Sequence, residues 1–270
     1  MLRILAVSLF IMTLVSLKPA GSTAAAPPRL LTVGCEDKED PPRLLGEGPR
    51  IHPDRPGTAI EILRLIARQH RLSLDIRRYP WKRTLHMLAN NEIDLLVYAS
   101  FTPERAAIGE YPMLGGVPDP SRRFATLRYM TYRRKGEPVY ALPGTISGTP
   151  GPVGVPGGYS VAALLRARGI RVDESQSTEV DLRKLAAGRV QAVVALEETA
   201  VAIIGRDPAL GAVIESAGVI DIRHYFFVFS KKYRKTRPEM ADAVWASLAR
   251  YRESPAFRTI EESYRGTTAE

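Results

Sequence analysis

The stretch "EIDLLVYASFTPERA", residues 92 to 106, runs from an apolar strand-like segment into a small hydroxyl cluster, Ser100 and Thr102, and then a lone Arg105. A carboxylate is planar and accepts two hydrogen bonds. A guanidinium presents a matching pair of donors with permanent charge, so one arginine can fix both the position and the orientation of an acid group. An arginine past the end of a buried strand is thus a candidate grip on a small acidic ligand, the plain alternative being a solvated surface residue. A second candidate is "GGYS", Gly157 to Ser160, directly before an apolar helical pattern. Glycines let a backbone turn its N–H groups toward an anion, and a helix start adds a positive dipole end; a simple tight loop is the competing reading. Trp81 and Tyr98 offer ring faces that can stack on an apolar or planar guest or attract a cation, or else serve ordinary packing.

Catalysis finds little support. The four histidines, His52, His70, His86 and His224, lack metal-ligand spacing, the only thiol is Cys35, and no G-x-S-x-G occurs. Neither a metal nor a cofactor is expected. A single cysteine also excludes an intramolecular disulfide, leaving stability to the core; Cys35 reads as a small buried apolar residue.

These groups need elements to position them. Residues 1–25 read as a secretory signal: Arg3 precedes an apolar run from Ile4 to Leu17, followed by small residues suited to cleavage near Ala24 or Ala26. That run is shorter than the roughly 20 residues of a membrane span. The expected protein is exported, to the periplasm, and soluble. Its formal charge of +9 is scattered, with few interleaved aromatics apart from "KKYRKTR" at 231–237, so a solvated surface rather than nucleic-acid binding is expected.

The mature chain opens with the strand "RLLTVGCED" and a Pro-rich charged loop through Pro56. "TAIEILRLIARQH" reads as a helix, with Thr58 and Glu61 as a capping box and Ile62, Leu63, Ile66 and Ala67 on one face. "LSLDI" alternates as a strand with Leu72, Leu74 and Ile76 on one side. Pro80 favours a helix start, Leu85 and Leu88 point inward, Asn90 and Asn91 end that helix, and Ile93 to Ala99 form a buried strand. The alternation implies a largely parallel sheet covered by helices.

After a Gly- and Pro-rich middle, "VGVPGGYSVAALLRARGI" reads as strand, glycine turn and helix, with Ser160 as N-cap, Leu164 and Leu165 inward and Gly169 terminating. "MLANNEIDLLV" from Met87 and "KLAAGRVQAVV" from Lys184 share a helix end, a tight turn and a buried strand 97 positions apart. Two similarly built halves follow as the inference. "HYFFVFSKKY" reads as a further strand. "RPEMADAVWASLARYRE" reads as a helix with Pro238 in its first turn and Met240, Val244, Trp245 and Leu248 on one face, returning to the first half.

With those segments in place, the chain resembles the family 3 extracytoplasmic solute-binding proteins, the receptors of polar amino acid ABC importers. "VGCEDKEDPP", "RPGTAIEILRLIA", "YPWKRTLHMLANNEIDLL", "SFTPERAAIGEYP", "VGVPGGYS", "LRKLAAGRVQAVV" and "FFVFSKKY" carry the resemblance, in order, across nearly the whole mature chain. It implies a two-lobe α/β fold of the type II periplasmic-binding-protein kind, with mixed, mainly parallel sheets and two hinge crossings. One lobe would comprise 26–122 plus 224–270 and the other 123–223. It implies ligand contacts from Arg105, Ser100 and Thr102 of the "S-x-T-x-x-R" pattern, from Gly158, Tyr159 and Ser160, from Trp81 and Tyr98, and from Glu36. The position that usually holds an ammonium-binding aspartate falls on Leu196; the adjacent Glu197 could substitute or could simply begin a helix. The expected partners are a small carboxylate-bearing solute and a membrane ABC permease, with the receptor a monomer. An enzyme on the same scaffold, similar to cyclic-carboxylate dehydratases, and a sensory ligand-binding module stand as alternatives.

Overall fold

The computed structural model describes residues 28–148 and 151–265; the expected signal segment and its cleavage point lie outside the described residues. In chain order the elements begin β1 (Arg29–Glu36), α1 (Thr58–His70), β2 (Leu72–Tyr79), α2 (Trp81–Ala89), β3 (Leu95–Ser100) and α3 (Pro103–Ile108). Short strands β4 (Gly109–Glu110), β5 (Met113–Leu114) and β6 (Val117–Pro118) precede the long β7 (Ala125–Arg134), then β8 (Tyr140–Leu142) and β9 (Thr145–Ser147). There follow β10 (Val153–Pro156), α4 (Ser160–Ala167), β11 (Val172–Ser175), α5 (Thr178–Ala186), β12 (Ala192–Leu196), α6 (Glu197–Arg206) and α7 (Pro208–Val213). The chain closes with β13 (Ile214–Ser230), α8 (Lys231–Thr236), α9 (Pro238–Arg252) and α10 (Pro255–Arg265).

The main sheet runs β11-β10-β12-β7-β13-β3-β1-β2. Strands β2, β1 and β3 are parallel, as are β11, β10 and β12, while β7 and β13 join the two blocks by antiparallel pairing. In each block the strand that comes first in sequence lies between the two that follow it. The sequence echo maps onto this symmetry: α2 leads into β3 and α5 into β12, the same topological step in each block. Helical crossovers force the parallel pairing, and the order reverses beside β1 and β10, so a crevice opens past the carboxyl ends of these strands.

The packing follows from the sequence pattern. All six residues of β3 are buried, as are all five of β12, as continuous apolar runs covered on both faces require. At Gly34 on β1 a Cβ would lie 2.4 Å from Ile93 Cδ1 and 2.9 Å from Thr84 Cγ2, so only glycine lets α2 close on the strand. Helix α9 lies against α1 and β13, where Trp245 is buried against Phe229 and its indole N–H donates to Phe227 O at 2.8 Å. The buried stripe of β2 ends on Arg78, whose guanidinium donates to the carbonyls of Glu36, Lys38, Leu45 and Arg50 at 2.8–3.2 Å. One cation thereby organises the Pro-rich loop after β1, satisfying buried backbone acceptors.

Three local expectations differ. Helix α1 is capped by Gly57 and not by a Thr58–Glu61 box; Thr58 is the first helical residue and no side chain caps the end. Tyr159, rather than Ser160, is the N-cap residue of α4. The strand read as "HYFFVFSKKY" ends at Ser230, whose hydroxyl accepts from Tyr233 N to start the basic helix α8, while on its other side β13 extends back to Ile214.

Candidate functional site

Arg105 is placed by the turn that ends β3. Thr102 Oγ1 accepts from Arg105 N at 3.2 Å as the N-cap of α3, and Pro103 sets the first helical turn. The side chain is thereby folded back across the strand end, and the residue is only 8% exposed. Its Nη1 donates to Ser100 O at 3.0 Å and Ser100 Oγ at 2.8 Å, and its Nη2 donates across the crevice to Gly158 O at 3.0 Å. Ser100 Oγ and Ser160 Oγ hydrogen-bond at 2.8 Å, a second link between the blocks.

The glycine turn faces the crevice with its carbonyl rather than with N–H groups. Gly157 N donates to Ser175 O at 2.8 Å, Gly158 N to Glu174 Oε2 at 2.9 Å and Tyr159 N to Pro156 O at 3.2 Å. Gly158 O accepts from Trp81 Nε1 at 3.2 Å as well as from Arg105. The expected anion cradle of backbone donors is therefore replaced by an acceptor that two side chains of the opposite block hold. Glycine is needed here: φ is +80°, and a Cβ would sit 3.0 Å from Lys82 Cγ and 3.1 Å from Trp81 Cδ1.

Between the blocks lies a cavity of about 20 Å³, room for one water-sized group. Arg105, Glu36, Trp81, Tyr98 and Tyr159 line it together, with Tyr129, Tyr225 and Leu196 completing the wall. Tyr159 Oη donates to Glu36 Oε2 at 2.9 Å, and burial nonetheless pushes the Glu36 carboxyl up to about 8. Tyr98 adopts φ 30°, a left-handed conformation costly for a bulky residue, and its hydroxyl donates to Asp40 Oδ2 at 2.6 Å. The Tyr129 and Tyr225 hydroxyls pair at 2.8 Å.

Two expected residues stand apart from this cavity. Glu197 begins α6 and pairs with Arg128 at 2.5 Å in a separate groove of about 570 Å³ shared with Leu127 and Ile222; its position in the first helical turn explains the carboxylate. Thr102 is spent on capping α3. Ser100, Ser160 and Gly158 stand behind the cavity wall, bonded to Arg105 or to each other. Among the histidines, His70 Nε2 meets Ser247 Oγ at 2.8 Å, but that hydroxyl is fully buried and also accepts from Arg250, so no nucleophile faces solvent there.

Sequence reasoning missed a buried ionic cluster that ties the blocks together behind Tyr98. Arg43 donates through Nη2 and Nε to both oxygens of Asp40 at 2.8 and 3.0 Å, and also to Thr199 Oγ1 at 3.2 Å and to Glu198; Thr199 in turn donates to Asp40. Burial alone would raise the Asp40 carboxyl, but the Arg43 charge and the donated hydrogen bonds outweigh it and hold the group below its ordinary value. The i, i+3 spacing of Asp40 and Arg43 in "EDPPRLL" was the available signal. At the rim, Lys82 pairs with Glu174 at 2.7 Å and Arg206 with Glu39 at 3.3 Å. The contacts of Arg43 with Glu198, of Thr199 with Asp40, and both rim pairs join the first block to the second, so this is a shut arrangement.

No family model and no curated protein matches the chain. Among solved structures, a histidine kinase sensor domain with similarity to periplasmic binding proteins superposes with TM-score 0.72 at 19% identity, covering 88% of this chain and 97% of that one. An arginine-binding protein from T. maritima gives TM-score 0.68 at 17% identity, covering 88% and 95%. An amino acid ABC transporter substrate-binding protein from Streptococcus pneumoniae, bound to L-arginine, gives 0.67 at 17%, covering 89% and 96%. These likenesses show the fold: a two-lobe periplasmic-binding-protein-like α/β architecture with a mixed sheet.

Proposed function

We propose that this chain is an extracytoplasmic solute-binding protein that captures a small carboxylate-bearing solute between two lobes and delivers it to an ABC permease. The lobes would comprise 26–122 plus 224–270 and 123–223, with crossings near Ala125 and Tyr225, which pair in register where β7 meets β13. The observation that carries the reading is the placement of Arg105: a buried guanidinium at the seam, with donors spanning Ser100 on one side and Gly158 on the other. A guest carboxylate would take over the donor now given to Gly158 O. Contacts from both lobes to one guest favour the shut state, since a ligand shifts an equilibrium only by its differential affinity.

Solved neighbours that are binding proteins support binding over catalysis. The leader-like residues 1–25 support export to the periplasm, and a monomer suffices for the cleft described. Thermal shift and calorimetry against amino acids, small organic acids and polyamines test the reading. A ligand present at 100 times its dissociation constant adds about 2.7 kcal/mol to native stability. The expected hits are carboxylates, lost in Arg105→Ala; binding that ignores this substitution would remove the assignment.

The histidine kinase sensor domain among the neighbours supports a second reading, a sensory module using the same cleft. Crosslinking of the ligand-loaded protein in native membranes separates the two: a receptor captures a permease, a sensory module a kinase.

A further inference from the structure

Part of the positive charge that reads as scattered in the sequence is gathered by the fold at the amino ends of β1, β2 and β3. Arg29 N donates to Arg71 O at 3.1 Å, Asp94 N to Thr32 O at 2.8 Å and Ser230 N to Asp94 O at 2.8 Å, so the end of β13 arrives there too. Helix α8 leaves β13 at this end and is tied to the turn after α2 by Lys232 N, which donates to Asn91 Oδ1 at 2.9 Å. Residues far apart in the chain therefore meet: Arg29, Arg68 and Arg71 with Lys231, Lys232, Lys235 and Arg237. Arg29 and Arg237 both lie within electrostatic reach of the Tyr233 hydroxyl. All seven cations are exposed, and none of their side chains makes an ion pair or hydrogen bond with another described residue. Arg234 is the contrast on the same helix, donating to Asp242 Oδ2 at 3.0 Å with its Cζ 5.4 Å from the Trp245 ring centroid. Of the acids at this end, Asp94 accepts from Thr32 N at 3.0 Å and Glu110 is half-buried on β4, leaving Glu92 and Glu239 exposed.

Unpaired like charges held close together repel, and an anionic surface brought against them relieves that repulsion. Nucleic acid is the poorer match, because stacking on bases needs exposed rings and the one aromatic of α8, Tyr233, is buried beneath the patch. A bilayer asks only for clustered Lys and Arg at the headgroup level, and Leu30, 63% exposed beside Arg29, adds an apolar contact to it. The leader-like residues 1–25 run directly into β1, so on the export reading this end of the fold is the one delivered next to the membrane. We infer that the amino ends of β1 to β3 and helix α8 form a docking surface for an anionic lipid bilayer, whose phosphates serve as the acid partners these cations lack. The crevice opens at the opposite, carboxyl ends of the strands, so a docked receptor still loads solute from solution.

Vesicle co-sedimentation tests this on the protein as its host secretes it, any retained leader residues being common to every arm. The probes are vesicles of phosphatidylcholine alone and of phosphatidylcholine mixed equally with phosphatidylglycerol. Binding to the mixed vesicles should be at least roughly tenfold tighter at low salt and should fall steeply as salt is raised. Lys232→Gln, Lys235→Gln and Arg237→Gln combined should weaken it by roughly 100-fold. Lys135→Gln, Arg168→Gln and Arg189→Gln combined remove the same charge from exposed positions elsewhere and should leave most of the binding. Arg29→Gln with Arg71→Gln, on separate elements, should repeat the first loss in smaller measure; circular dichroism checks the fold of each variant. Equal losses in the two triple variants would mean that net charge and not this surface attracts the lipid, and would overturn the inference. Binding indifferent to lipid charge, or no binding to the mixed vesicles, would do the same. Capture of a short DNA duplex without vesicle binding would overturn it in favour of nucleic acid. None of these outcomes bears on carboxylate binding through Arg105, which calorimetry reads separately.

Discussion

Arg105 Nη2 donates to Gly158 O at 3.0 Å, so the guanidinium that ends the third strand of one lobe is held by the glycine turn of the other. On the proposed reading, a protein carbonyl occupies the position that a guest oxygen would take, so that ligand entry would exchange one acceptor for another. Charge-assisted hydrogen bonds contribute about 1.5–3 kcal/mol each, so loss of the one exchanged in Arg105→Ala should weaken carboxylate binding by about 10- to 150-fold. Arg105→Lys should recover only part, because a point charge cannot supply the paired donors. Calorimetry on both variants decides it; an unchanged dissociation constant in the alanine variant refutes the role.

Glu36 governs a pH dependence. Its carboxyl is raised from 4.5 to about 8, so the folded chain holds a proton that the unfolded chain releases at lower pH. The contribution to stability is therefore greatest below the unfolded value and is lost as pH climbs toward 8. Melting temperatures from pH 5 to 9 should fall across this window and fall less in Glu36→Gln. An identical slope in the variant places the proton elsewhere.

The alternating strands and helices announced the parallel blocks because apolar runs and capping residues are local signals. The recurrence around Met87 and Lys184 marked the equivalent step in each half for the same reason. Arg105, Trp81, Tyr98, Tyr159 and Glu36 were legible because each sits at or next to the carboxyl end of a strand, where a crevice opens. Tyr129 and Tyr225 were hidden in "LRYMTY" and "HYFFVF", where an aromatic in an apolar strand gives no hint that the paired strands cross at the cavity. Asp40 and Arg43 lie in a Pro-rich charged loop, and only the fold shows that Arg78 pins that loop and carries them to α6 of the second lobe. The glycine turn misled for a subtler reason: Glu174, far along the chain, draws the Gly158 N–H away and leaves its carbonyl facing the crevice.

The Asp40–Arg43 pair, through its bonds to Thr199 and Glu198 of α6, should behave as the first lobe's half of an interlobe latch. Removing one partner of a buried ion pair costs about 3–5 kcal/mol because the other charge is left uncompensated, whereas replacing both by apolar residues is far milder. Asp40→Ala is expected to lower the urea midpoint sharply, and Asp40→Leu combined with Arg43→Met to recover much of the loss. Small-angle scattering should show a larger radius of gyration for the single variant as the lobes part. Equal losses in the single and double variants would argue that packing rather than charge pairing holds this point.

Asp181 supplies an independent test of lobe energetics. It is fully buried on α5, neither carboxyl oxygen has a close hydrogen-bond partner among the described residues, and burial, outweighing the nearby Ser175 hydroxyl and the Lys184 charge, pushes the group from 3.8 to about 7. Native stability should therefore decline as pH rises from about 4 toward 7, at up to about 1.4 kcal/mol per pH unit for a single proton. Asp181→Asn removes that proton equilibrium, so its stability relative to the wild type should improve from pH 5 to about pH 7 and level off by pH 8 in urea titrations. A constant offset across the range would show that Asp181 stays ionised in the fold.

Gly158→Ala probes the seam through the backbone itself. At φ +80° a side chain is strained, a cost of order 1–3 kcal/mol, and the new methyl would press on Lys82 Cγ and Trp81 Cδ1 at 3.0 and 3.1 Å. Both atoms belong to the opposite lobe, so this contact, unlike the φ strain of the turn itself, is felt when the cleft is shut and is relieved as it opens. The variant is expected to bind carboxylates roughly tenfold or more weakly, with a larger radius of gyration and only a modest drop in melting temperature. Wild-type affinity together with a steep loss of melting temperature would mean that the glycine serves the folding of its own turn and not the closure of the lobes.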